Sequence, residues 1–120
     1  MVGRLTTHML DTAQGRPAAN VAIELWRLDP QSGDRKLLKT IRTNAEGRTD
    51  APLLSEGELE AGVYELVFAV GDYFAGQPVA TTRPTFLDRV PVRFGITDPD
   101  GYYHVPLLVS PWAYSTYRGS

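Results

Sequence analysis

The sequence predicts an all-β fold, a two-sheet antiparallel β-sandwich with one short helix. Short runs of alternating apolar and polar residues recur along the 120 residues, and long segments with helical periodicity are missing. Stretches rich in Gly, Pro, Asn and Asp separate these runs, as expected where a chain reverses direction. Seven strands spaced in this way are typical of a sandwich, and the length is typical of one domain spanning residues 1–120.

The clearest strand is VYELVFAV at 63–70, where Tyr64, Leu66 and Phe68 share one face of the pleat. This alternation indicates a half-buried strand in an antiparallel sheet. Alternating patterns and turn signals predict six further strands, at 4–11, 21–28, 36–43, 90–96, 102–109 and 113–117.

Two segments depart from the strand pattern. The segment 71–80 lacks alternation, so we expect one or two helical turns there, beginning after Asp72 as N-cap. Pro106 has no amide hydrogen to give to a neighbouring strand. It therefore predicts that the strand at 102–109 lies at a sheet edge or contains a bulge.

Composition excludes several classes of partner. Lys and Arg total 12 against 14 for Asp and Glu, so the net charge of -2 offers no basic surface for nucleic acid. No stretch approaches the roughly 20 apolar residues of a membrane span, and no basic leader precedes an apolar run. We therefore expect a soluble, cytoplasmic protein. The absence of cysteine excludes disulfides and thiol nucleophiles.

Two histidines, His8 and His104, lie in predicted strands far apart in the sequence. Each is open to a purely structural interpretation. Two imidazoles are too few for a zinc site, which would need a distant carboxylate as a further ligand. No serine stands in a GxSxG elbow. A hydrolase built on this chain would instead activate water with a histidine base, because neutral imidazole has a reference pKa of about 6.5.

Arg48 and the C-terminal segment are the other polar features of interest. Asn44 and Gly47 are turn residues that place Arg48 on a loop. Its guanidinium is either solvated there or donates hydrogen bonds to a carbonyl oxygen or a planar anion. The ending YSTYRGS is typical of a solvated edge strand. If it is packed instead, the Tyr117 hydroxyl and the terminal carboxylate of Ser120 have defined positions.

Four blocks together carry a resemblance that covers essentially the whole chain. They are LTTHMLDTAQGRPA at 5–18, TNAEGR at 43–48, VPVRF at 90–94 and YHVPLLVSPWAYSTYRGS at 103–120. In this order they resemble the transthyretin-related 5-hydroxyisourate hydrolase family. The final YRGS is the most specific, because the hormone-carrying transthyretin branch lacks both this ending and the strand histidines.

The resemblance implies an eight-stranded transthyretin-like sandwich, assembled as a homotetramer with active sites in the groove between two dimers. It implies hydrolysis of a ring amide of 5-hydroxyisourate, with no metal or organic cofactor. The residues that match the catalytic positions of the family are His8, Arg48, His104, Tyr117 and Ser120, and Arg118 joins them for substrate binding. Family members often have histidine where this chain has Tyr102.

We therefore expect His104, with His8, to hold and deprotonate water, and Arg48 to stabilise the oxyanion. Either histidine is a candidate for the general base. The tetramer groove is expected to bring both together and to cover apolar residues such as Tyr103 and Leu107. A non-catalytic carrier of a small aromatic ligand in the same groove is the alternative, although histidines and an arginine suit a catalytic channel better.

Overall fold

The computed structural model describes residues 3–119 and arranges them as two four-stranded sheets. This confirms the predicted all-β sandwich with one short helix. In chain order the elements are β1 (Arg4–Asp11), β2 (Arg16–Pro17), β3 (Ala22–Leu28), β4 (Arg35–Arg42), β5 (Gly62–Phe68), α1 (Val70–Ala75), β6 (Val90–Ile96), β7 (Tyr102–Val109) and β8 (Tyr114–Thr116).

The seven predicted strands are all present, with ends within two residues of those expected. The additional strand, β2, has only two residues and pairs with Leu10 and Asp11 at the end of β1. Its sequence lies between Gly15 and Ala18 in a segment that reads as a turn, because two residues are too few to show alternation.

The strand order is β2-β1-β7-β8 in one sheet and β4-β3-β5-β6 in the other. All neighbours are antiparallel except β1 and β7, which run parallel over eight residue pairs. The purely antiparallel expectation is wrong at this pair, since alternation specifies which face a residue occupies but not the direction of the neighbouring strand. In this register Thr6 lies opposite His104 and His8 opposite Pro106.

The inward faces of the two sheets form the hydrophobic core, as the period-two pattern predicts. Tyr64, Leu66 and Phe68 are fully buried. The outward face of β5 is also covered, because β5 is a central strand and Arg35 and Arg93 lie over Glu65 with oxygen-to-nitrogen distances of 3.0 and 3.1 Å. The strand is therefore buried on both faces along most of its length, where one buried face was expected.

The sequence predicted that Pro106 lies at a sheet edge or in a bulge, but it lies in a central strand whose pairing with β1 keeps its register. Strand β7 is flanked by β1 and β8, and β8 pairs with it only from Leu107 to Val109. Pairing with the C-terminal segment resumes as a single bridge between His104 and Gly119. The missing amide hydrogen of Pro106 is accommodated by an interruption of the ladder on the β8 side.

Helix α1 confirms the predicted helical turns but begins earlier than expected. Its N-cap is Ala69, so Asp72 lies inside the first turn. A carboxylate there interacts favourably with the amide groups of the helix N-terminus without capping it. Within residues 3–119, no helix combines the length and the apolar character required to cross a membrane.

Candidate active site

Strands β1 and β7 place both histidines on the outward face of one sheet. His8 pairs with Pro106, and His104 pairs with Thr6, two residues before His8. The parallel pairing within one chain is therefore enough to make the two imidazoles neighbours, and a second subunit is not needed for this. Tyr103 and Leu107 are buried in the core of their own chain, so their apolar character needs no subunit contact either.

The turn between β4 and β5 brings a loop against His8. Asn44 holds this turn, because its side-chain oxygen accepts hydrogen bonds from the amides of Glu46 and Arg48 at 2.9 and 3.2 Å. The carbonyl of Glu46 accepts a hydrogen bond from Nε2 of His8 at 2.9 Å. The loop therefore holds the ring of His8, and the backbone of Arg48 lies two residues after the carbonyl that binds this ring.

Gly47 allows this loop to approach β1. Its φ of +75° lies in the left-handed region, where a side chain is strained, and its carbonyl accepts a hydrogen bond from the Met9 amide at 2.8 Å. A Cβ at this position would lie 2.3 Å from the Met9 carbonyl oxygen. Glycine is thus required both for the backbone conformation and for the distance to β1.

His104 is half-buried and held on two sides. Its Nδ1 lies 2.8 Å from the Thr6 hydroxyl oxygen. On the other side Gly119 packs so closely that a Cβ there would lie 2.6 Å from Cδ2 of the ring. Burial lowers the pKa of His104 below its ordinary 6.5, and the nearby charges of Arg48 and His8 lower it further. The ring is therefore neutral at pH 7.

Beside these residues an open pocket of about 140 Å³ lies between β1, β7 and the loop after Arg48. Thr6, Arg48, Asp50 and Tyr102 contribute to its walls. The exposed guanidinium of Arg48 supplies a permanent positive charge next to the neutral His104. A neutral base and a positive charge that could stabilise an oxyanion therefore lie close together beside this pocket.

The structure does not bring Tyr117 and Arg118 into this pocket. Both line a separate cavity of about 230 Å³ between the edges of β6 and β8. The guanidinium of Arg118 lies 4.2 Å from the ring centre of Tyr103 and donates a hydrogen bond to the Tyr102 carbonyl at 3.2 Å. Ser120 lies outside the described residues.

Four further groups shape the site and were not singled out from the sequence: Thr6, the Glu46 carbonyl, Gly47 as a contact to β1, and Gly119. Thr6 had a signal, since it shares the outward face of β1 with His8 under period-two alternation. The contacts of Glu46, Gly47 and Gly119 depend on how distant segments pack. Among residues 3–119, no three His, Asp or Glu side chains are grouped so that they could hold a metal ion.

Fold and site together define a transthyretin-like sandwich with two histidines and an arginine close together beside a polar pocket on its outward β1–β7 face. The chain belongs to the HIUase/Transthyretin family, whose profile matches residues 5–119.

The chain is similar to enzymes and to transthyretins. A 5-hydroxyisourate hydrolase of Mesorhizobium japonicum is 59% identical over 118 residues, covering 98% of this chain and 93% of the relative. The crystal structure of (S)-allantoin synthase superposes with a TM-score of 0.92 and 49% identity over 99% of this chain, which spans 44% of that longer protein. Transthyretin from Sparus aurata superposes with a TM-score of 0.84 at 28% identity, covering 97% of this chain and 96% of that one.

Proposed function

We propose that this protein is a 5-hydroxyisourate hydrolase that acts as one transthyretin-like domain. It opens the six-membered ring of 5-hydroxyisourate to give 2-oxo-4-hydroxy-4-carboxy-5-ureidoimidazoline. The observation that carries the proposal is the proximity of His8, His104 and Arg48 on one face of a chain that is 59% identical to a hydrolase of that name.

In the proposed reaction a water molecule is held between His8 and His104. Its oxygen adds to a ring amide carbonyl carbon while its proton passes to His104. The carbon–nitrogen bond of the tetrahedral intermediate then breaks, and the imidazolium returns the proton to the leaving nitrogen. The lowered pKa of His104 supports its assignment as the base, because the ring is free to accept a proton at neutral pH.

Arg48 stabilises the negative charge that develops on the carbonyl oxygen during this addition. Its guanidinium carries a positive charge, and Arg48 lines the pocket on a loop that is hydrogen-bonded to β1 through Gly47. The side chain of Asn44 holds the backbone amide of Arg48, which sets the point from which the guanidinium reaches the pocket.

The remaining predicted residues, Tyr117, Arg118 and Ser120, are proposed to orient the substrate or the histidines from the C-terminal segment. The bridge between His104 and Gly119 supports this role for Tyr117 and Arg118, because it places the backbone that directly follows them beside the base. Arg118 reaches the backbone of Tyr102, the residue two before His104.

The direct experiment follows the ultraviolet absorbance of freshly generated 5-hydroxyisourate with and without the protein. We expect rapid, protein-dependent decay and, for Arg48→Ala, a fall in kcat of about 10²–10³-fold. Arg42→Ala is the matched control, since Arg42 is an exposed arginine on β4 in the other sheet and should leave kcat unchanged. Binding of an aromatic ligand without any hydrolysis would instead identify a carrier.

A homotetramer is part of the proposal. The outward face of the sheet that holds the site ends in Tyr102, which is 45% exposed, and the loop before β8 presents Trp112, which is 59% exposed. Leu10 and Leu108 lie half-buried between them. An aromatic and aliphatic surface of this kind is suited to a contact between copies of the chain.

A further inference from the structure

Thr6 and Tyr102 form a short chain of polar groups that ends at His104. Thr6 and His104 are paired across β1 and β7, and Tyr102 precedes His104 by two residues on the same face. The Thr6 hydroxyl oxygen lies 2.8 Å from Nδ1 of His104 and 3.4 Å from the Tyr102 hydroxyl. One threonine hydroxyl therefore contacts both groups.

A hydroxyl group has a single proton, so Thr6 can donate a hydrogen bond to only one of these two partners. The Thr6 hydroxyl is oriented as a donor to the Tyr102 oxygen. Because its only proton is used there, it can interact with Nδ1 of His104 only as an acceptor. In this arrangement Nδ1 carries a proton, and Nε2 of the neutral ring is left with its free electron pair.

We propose that Thr6 and Tyr102 are positioning residues that hold His104 in the Nδ1–H tautomer and so present Nε2 as the base. As a statement about catalysis this inference rests on the proposed function. As a statement about the tautomer it stands on the hydrogen bonds alone.

His8 is held in the opposite sense. Its Nε2 faces the carbonyl of Glu46, which can only accept a hydrogen bond, so Nε2 of His8 carries a proton. The unprotonated nitrogen of a neutral His8 is therefore Nδ1. The two histidines of the site therefore expose different nitrogens, Nε2 for His104 and Nδ1 for His8. In the proposal, His104 is the base and His8 helps to hold the water.

Contacts around Tyr102 keep the end of this chain in place. The guanidinium carbon of Arg4 lies 5.7 Å from the centre of the Tyr102 ring, within range of a cation–π interaction. Arg118 holds the Tyr102 carbonyl. Tyr102, whose hydroxyl accepts the hydrogen bond from Thr6, is thus contacted at both its ring and its backbone.

The experiment reads the tautomer directly by ¹⁵N NMR of histidine-labelled protein at neutral pH. In the wild type we expect a protonated Nδ1 and an unprotonated Nε2 for His104. Thr6→Val, which keeps the shape of the side chain but removes the hydroxyl, should abolish this preference and lower kcat about 10- to 100-fold, with little change in KM. Thr6→Ser should restore both the tautomer and most of kcat.

Tyr102→Phe tests the other end of the chain. Without an acceptor at position 102, the Thr6 hydroxyl can donate its hydrogen bond to Nδ1 of His104 instead. We therefore expect a mixture of His104 tautomers and a smaller loss of kcat than in Thr6→Val. Thr12→Val is the matched control, since the Thr12 hydroxyl donates to the Val109 carbonyl at 3.1 Å at the far end of the same strand pair. It should change neither the tautomer nor kcat.

Wild-type His104 in the Nε2–H form, or an unchanged Nδ1–H form in Thr6→Val, overturns the inference. Circular dichroism of each variant checks that the sandwich is folded. If Thr6→Val does not fold, the tautomer of His104 is measured in Thr6→Ser instead. The NMR signal needs no substrate. A wild type with the expected tautomer but without hydrolysis would refute the proposed function and leave the hydrogen-bond assignment standing.

Discussion

His104 illustrates how a single imidazole acquires chemical character from its neighbours. Thr6 holds one ring nitrogen, Gly119 leaves only a narrow gap beside the ring, and the surrounding protein removes water from part of it. Burial and the charges of Arg48 and His8 all disfavour the imidazolium, so the pKa of His104 lies below 6.5. A ring of this kind suits a base that must be neutral at physiological pH.

The pH dependence of the proposed reaction follows from this pKa. Protonation of His104 removes the base, so kcat/KM should be constant near neutral pH and fall as the pH drops through the lowered pKa. The midpoint of the fall is expected below 6.5, as read from initial rates between mildly acidic and neutral pH. A midpoint above 6.5 would contradict the environment described for His104.

Removal of the charge at Arg48 should raise the pKa of His104. We expect an NMR titration of His104 in Arg48→Gln to show a higher midpoint than in the wild type, because one of the charges that oppose protonation is gone. Arg42→Gln removes a charge from the other sheet and should leave the midpoint in place. Equal shifts in both variants would point to a general charge effect instead of a local one.

At the scale of elements, the turn between β4 and β5 couples the sheet to the site. We expect Gly47→Ala to strain the turn and push it away from β1, because the added Cβ meets the Met9 carbonyl at a residue of positive φ. The free energy of unfolding should fall by about 1–3 kcal/mol. Urea unfolding measures this change, and kcat should fall as well, since Arg48 follows directly.

Gly15→Ala is the control for that substitution. Gly15 also has a positive φ, of +68°, but a Cβ there meets no other atom within 4 Å. Its stability loss should therefore be the smaller one, and its kcat should match the wild type. A similar loss of kcat in both variants would argue against the role given to the contact of Gly47 with β1.

A second link between elements joins the end of β1 to helix α1. Asp11 is 1% exposed and accepts hydrogen bonds from the Tyr73 hydroxyl and the Gln14 side chain, each at 2.7 Å. Burial by itself would raise the pKa of Asp11, but these hydrogen bonds outweigh it and lower the pKa. Burial and the same carboxylate raise the pKa of Tyr73 to about 12.

Tyr73→Phe should destabilise the protein at neutral pH by about 1.5–3 kcal/mol, because a buried carboxylate loses a donor. A lowered pKa means that Asp11 stabilises the fold above its unfolded pKa of 3.8 and that this contribution is lost as the pH falls through the folded pKa. The difference between variant and wild type should therefore shrink in acid. Urea unfolding at several pH values tests this, with Tyr114→Phe on exposed β8 as the control.

For the whole molecule, the prediction concerns assembly. Light scattering after size-exclusion chromatography should give four times the chain mass of 13.3 kDa. Trp112→Glu should shift the protein to smaller species, since it introduces a charge into the exposed aromatic surface. A monomeric wild type at micromolar concentration would remove the tetramer from the proposal.

Sequence and structure agree closely on the strands and on the inward face. Alternation predicted that Tyr64, Leu66 and Phe68 share one face of a strand, and all three are buried in the core. The central position of Pro106 and the earlier start of α1 differ from the prediction, and β2 is absent from the alternation pattern although the resemblance implied eight strands. Each of these depends on contacts with segments distant in sequence, which local pattern does not contain.

By itself the sequence determined the all-β class, the places where the chain turns, the faces of the strands and the residue types available for chemistry. These are local properties, set by backbone sterics and by the period of apolar residues. Only the tertiary structure decided that β1 and β7 lie side by side in parallel, which pairs Thr6 with His104 and places His8 next to them. Strand partners are chosen by the burial of a shared core and by hydrogen bonds between distant segments, and no short stretch of sequence carries that information.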